Sequence, residues 1–160
     1  MRNIHYRKFC IFFTLLLAMI NTAYATSVIT ITDGYIKESI PGTDITAAYM
    51  AISNTGDKAI TLQKVSSTIS DRIEIHEHSM ANGMMRMREV GEVTIKADSK
   101  VVLQPSGLHL MIFSLKHPIK ENSVIPLTLK FSNKTTLNIQ LPVYRYNIPE
   151  PLQDVISEPN

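Results

Sequence analysis

The chain has 160 residues, with 16 Lys and Arg against 14 Asp and Glu, one Cys and no Trp. Residues 1–25 hold Arg2, Arg7 and Lys8 and no acid, so the remainder carries 13 bases against 14 acids and sits near −1. That balance excludes the basic face that nucleic acid demands, and the length suits one core rather than two.

The first predicted element is an export signal. MRNIHYRK is short and basic, FCIFFTLLLAMI is an apolar run of 12 residues, and Ala23-Tyr24-Ala25 has the small-x-small form a signal peptidase accepts. A spanning helix needs about 20 apolar residues, so cleavage near Ala25 is expected, a retained anchor being the alternative. Cys10 opens the apolar run instead of following it, which argues against lipidation. Cleavage also removes that only Cys, leaving residues 26–146 to fold on their core without a disulfide.

Beyond residue 26, apolar-alternating runs recur every eight to twelve residues between Gly, Pro, Asn and Asp, the pattern of an all-β domain. Strands are predicted near 28–32, 35–38, 46–53, 59–65, 73–78, 84–89, 92–96, 100–103, 108–115, 124–131 and 135–143, arranged as an antiparallel sandwich. Asn54 to Asp57 and Ser132 to Lys134 carry turn chemistry. The tail, residues 147–160, has three prolines and three acids and is expected to be loose.

Two windows concentrate His and Met. IEIHEHSMANGMMRMRE holds His76, His78, Met80, Met84, Met85 and Met87, and GLHLMIF adds His109 and Met111. Of the His and Met residues after Ala25, only His117 and Met50 lie outside them; His117 reads as a solvated turn and Met50 as core. Side chains alternate along a strand, so His109 and Met111 share a face while Leu108, Leu110 and Ile112 take the core side. Ile73 and Ile75 likewise leave His76 and His78 on the other face.

The first window pairs with itself around Ala81-Asn82-Gly83. A four-residue loop, Met80 to Gly83, sets His76 against Met87, whereas a two-residue loop at Asn82-Gly83 sets His78 there, and spacing alone leaves both open. Glu74 and Glu77 read as surface charges. Met85 shares the direction of Met87, with packing its favoured role, and Met80 and Met84 read as space-fillers.

Imidazole and thioether together form a neutral, soft donor set. It suits Cu(I) and gives little to Zn²⁺. A blue-copper electron-transfer centre needs a Cys thiolate, and none remains after cleavage. No Ser-His-Asp set, carboxylate pair or phosphate loop is readable, so the chain reads as a non-enzyme.

His76, ten residues, Met87, twenty-one residues, His109, one residue, Met111 resembles the H-x10-M-x21-H-x-M signature of the periplasmic PCu(A)C copper chaperones. VVLQPSGLHLMIFSLKHPIKENSVIPLTLKF is similar to further stretches of that family, and the likeness covers most of residues 28–143. The resemblance implies a cupredoxin-like Greek-key sandwich or barrel and Cu(I) bound by His76, Met87, His109 and Met111. It also implies delivery to a copper acceptor such as cytochrome c oxidase or another copper carrier. It favours His76 over His78, and hence the four-residue loop. A periplasmic monomer with no membrane contact after cleavage is expected. Some members carry a His- and Met-rich tail for a second, oxidised copper, and residues after Val143 have neither type. The competing expectation is a structural or adhesion-type sandwich that binds no metal.

Overall fold

A computed structural model describes residues 28–81 and 83–145. The predicted signal, the cleavage site and the tail at 147–160 lie outside the described residues. Ten strands follow in chain order: β1 (Ile29–Lys37), β2 (Thr46–Asn54), β3 (Ile60–Ser66), β4 (Arg72–Ala81), β5 (Met84–Glu89), β6 (Val93–Ile95), β7 (Ser99–Leu103), β8 (Leu108–Phe113), β9 (Val124–Phe131) and β10 (Thr136–Tyr144). No helix occurs among the described residues.

The sheet runs β5-β4-β8-β2-β1-β10-β9-β3-β6, with β7 also paired to β2. One core unites Ile36, Met50 and Ile52 from one half with Leu62, Leu127 and Leu129 from the other, so the sheet folds into two facing layers. Each such side chain contributes roughly 1.5–3 kcal/mol on leaving water. This is the expected all-β, cupredoxin-like sandwich.

Three strand predictions need correction. The runs 28–32 and 35–38 form one strand, β1, which continues through a register shift between Thr32 and Tyr35 with Asp33 at φ 55°. Such a bulge accommodates extra residues without ending the pairing. The sandwich is not purely antiparallel: β1 and β10 pair in parallel at Ile36↔Val143 and Lys37↔Tyr144, which joins the two halves. Strand β8 ends at Phe113, because Ser114 adopts φ 51° and turns the chain. By contrast, the hairpin of β9 and β10 forms as the turn at Ser132 to Lys134 predicts, with Thr136 opposite Lys130.

For function, what matters is the order β5-β4-β8-β2. It lays the two His and Met windows side by side on adjacent strands.

Candidate metal centre

Strand β4 lies between β5 and β8 and aligns with both. Against β8 it sets His76 opposite His109 and Glu74 opposite Met111. Against β5 it sets His78 opposite Met87, Met80 opposite Met85 and Ala81 opposite Met84. Pairing therefore continues to Ala81 and Met84, and the expected four-residue loop from Met80 is overturned. The reason is turn chemistry: Asn-Gly is the strongest short hairpin signal, and Gly83 holds φ 75°, the left-handed value such a turn uses. His76 faces Glu89 on β5 instead of Met87.

His76 and His109 form the centre of the arrangement. Their ring centroids are 6.1 Å apart. An imidazole centroid stands about 3.2 Å from an ion its nitrogen binds, so two rings on one ion stand at most about 6.4 Å apart. The separation therefore admits one shared ion.

The hydrogen bonds assign the nitrogens. His76 Nε2–H donates to Glu74 Oε2 at 2.8 Å, which leaves Nδ1 as the lone-pair nitrogen of the neutral ring. That Nδ1 is buried and has no partner. His109 Nδ1–H donates to the Gly107 carbonyl at 2.9 Å, leaving Nε2 free. Fixing one imidazole nitrogen by a carboxylate or carbonyl is how metal-binding histidines are held in one tautomer and orientation. The same Gly107 carbonyl accepts the His78 backbone N–H at 3.2 Å, so one group fixes both β8 and β4 here.

Glu74 was read as a surface charge and is not one. Its side chain is 16% exposed and also accepts from Arg72 Nε at 2.6 Å. Hydrogen bonds from His76 first, and then Arg72, hold its carboxyl below the ordinary carboxylate value. Arg72 in turn lies 4.5 Å over the Phe113 ring, a cation–π contact. Alternation could have flagged Glu74, which stands two residues before His76 and so on its face.

His109 was expected outside the core, yet it is 3% exposed. Tyr49 of β2, 6.4 Å away, and a stacked His78, at 4.9 Å, cover it. Burial lowers its pKa, His78 and His76 add to that, and the Gly107 bond opposes it. No sequence signal points to Tyr49, because the pairing of β2 with β8 is long-range. Its own pKa is raised by burial, so it stays a neutral phenol.

Met111 follows His109 on the same face. Met87 is half exposed and stands beside His78, two pairs along from His76; it reaches His76 only on the diagonal, a distance long side chains span. His78 was expected to face solvent or support the site from outside. It is instead half-buried, and its Nδ1 has no partner. Met80, Met84 and Met85 fill no space, being 68%, 57% and 61% exposed. His117 is exposed and Met50 is core, as expected.

Among the described residues, no three His, Cys, Asp or Glu side chains converge as a metal site. Two imidazoles with thioether neighbours is the set the geometry offers.

The family described as "Putative lipoprotein LpqE-like" matches residues 29–143. A curated relative, "Putative lipoprotein Lxx21020" of Leifsonia xyli subsp. xyli, is 32% identical over 103 residues, covering 64% of this chain; the aligned part spans 62% of that relative's length. Among solved structures, the copper-bound PCuAC domain of PmoF2 aligns with TM-score 0.64 at 19% identity, covering 76% of this chain and 97% of that domain. The Cu(I) form of DR1885 from Deinococcus radiodurans aligns with TM-score 0.63 at 28% identity, covering 81% of this chain and 87% of that one. The fold is that of the PCuAC domains, and the chain belongs to the LpqE-like family.

Proposed function

We propose that the protein is a non-enzymatic copper carrier that holds one Cu(I) through His76, His109, Met111 and Met87. The observation that carries this reading is the His76–His109 pair, with one nitrogen of each ring tied down and the buried Nδ1 of His76 left without a partner. A buried polar atom without a partner is costly and calls for an explanation, and a bound ion supplies one. The neutral donors favour Cu(I), because thioethers bind soft, low-charge ions and need no deprotonation.

Copper is cargo in this reading. It enters between His76 and His109, Met111 closes from β8, and Met87 closes diagonally from the edge strand. Exposed Met87 is the first donor an acceptor displaces, and buried His109 the last. The expected acceptor is a copper-requiring respiratory oxidase or another carrier, met after export. The lipoprotein naming of the family and of the curated relative supports export.

Anaerobic competition for Cu(I) against a chromogenic chelator tests the proposal. One tight equivalent is expected, with both sulfur and nitrogen neighbours in X-ray absorption. Affinity unchanged in a Met87→Ala/Met111→Ala double variant would overturn it.

A further inference from the structure

We infer that the β4–β5 hairpin carries a second Cu(I) position of its own, formed by His78, Met80 and Met85. It rests on the reading that the protein handles Cu(I), and it adds a distinct stop at which that ion is received.

The register provides the first argument. Met80↔Met85 is a direct cross-strand pair, His78 stands two residues before Met80 on β4, and alternation puts all three on one face of the hairpin. Directly opposed residues have Cβ atoms about 4.5–5.5 Å apart, close enough for their donor atoms to share an ion.

The second argument is the separation of chemistry along β5. Met85 and Met87 take this face, while Arg86 and Arg88 take the other, where Arg88 bonds Glu77 at 2.8 Å. An edge strand is normally guarded by charge, and here the charge lies on the far side of the ribbon. Met80 and Met85 are 68% and 61% exposed, so core packing does not account for them.

Third, His78 has a buried Nδ1 without a partner, and its ring stacks 4.9 Å from His109. It belongs to the hairpin by pairing and to the inner site by contact. One imidazole and two thioethers make a neutral donor set again suited to Cu(I).

The two positions differ in support. His76 and His109 are each fixed by a hydrogen bond to Glu74 or Gly107, whereas the methionines of the hairpin stand in solvent. The outer position therefore binds more weakly and fills second at equilibrium, while meeting incoming copper first. Transfer inward is ligand exchange at Cu(I): a thioether leaves, an imidazole nitrogen of His76 or His109 takes its place, and the oxidation state is unchanged.

The test is anaerobic addition of two equivalents of Cu(I), as its acetonitrile complex, to protein labelled at the methionine methyl carbons. The first equivalent is expected to shift Met111 and the second to shift Met80 and Met85. A Met80→Leu/Met85→Leu variant keeps its shape closely and is expected to retain the first equivalent and lose the second. Met80 and Met85 signals that stay in place through two equivalents, with Met111 shifted, would overturn the inference and leave the carrier reading intact. So would a second equivalent retained by the double variant, and an apolar docking surface would then account for the exposed methionines. A Met111 signal that never moves while Met80 and Met85 do would overturn the proposed inner site and uphold the outer one.

Discussion

Strands β8 and β5 flank the same strand, β4, and are held very differently. Strand β8 pairs on both sides, with β4 and β2, and buries His109, Leu110 and Ile112. Strand β5 pairs only with β4 along its length, and all six of its residues are exposed. A carrier must hold its ion and also give it up. In the proposed site, holding falls to the imidazoles at β4 and β8, whose neighbours cannot move apart without disturbing the core. Exchange falls to the thioethers of the edge strand, which solvent and an acceptor can both reach. Local stability follows the same division, since elements with few buried apolar contacts open first.

Stability measurements offer the largest test of this contrast. Leu110→Ala is expected to cost about 2–5 kcal/mol, read as a lower denaturant midpoint. Met85→Ala should fall within about 0.5 kcal/mol of the parent. Comparable losses from the two would erase the distinction between the strands. Copper affinity sharpens it further. His109→Ala is expected to weaken Cu(I) binding by more than about 100-fold, beyond the 10–100-fold typical of losing a supporting group. Chelator competition measures this, with circular dichroism confirming that the variant remains folded.

Glu74→Gln tests whether the anchoring of His76 matters. It keeps the shape but weakens the hydrogen bond to Nε2, and a loss of about tenfold in Cu(I) affinity is expected. Unchanged affinity would reduce Glu74 to a bystander. The smallest effect is on the pH dependence of the metal-free protein. The pKa of His109 is lowered on folding, chiefly by burial, so the unfolded chain takes up its proton first as pH falls. Its stabilising contribution is complete above the ordinary histidine value of about 6.5 and is lost as pH falls toward the lower folded value. The lowered carboxyl of Glu74 acts in the same direction further down: its contribution is present above the ordinary carboxylate range and is lost below it. Denaturation midpoints across pH 3–8 should therefore fall on acidification, and Glu74→Gln should flatten only the lower part of the curve.

Much of the fold was legible because strand alternation and turn residues are local. The turn at Ser132 to Lys134 specified its hairpin, and Leu110 and Ile112 took the core as their spacing required. Two errors arose where local signals competed. Asp33 and Gly34 looked like the end of a strand, but the chain continues through a bulge. At the β4–β5 hairpin, the family spacing and the Asn82-Gly83 turn signal point to different registers, and the pairing follows the turn. The soft donor set itself was visible as a compositional cluster on two strands, and its metal preference follows from donor type alone.

What the sequence determined by itself is the inventory: which side chains are soft donors, which share a face within each strand, and that no thiolate is among them beyond residue 25. Tertiary pairing decided the rest. It placed His76 against His109, moved Met87 beside His78, and brought Tyr49 over His109. It also turned Glu74 from a surface charge into the hydrogen-bond partner that orients the His76 ring. The reason is that alternation has a period of two and is blind to shifts of two residues: His76 and His78 face the same way, as do Met85 and Met87. Only the hydrogen-bonded register between strands separates an inner donor from an outer one.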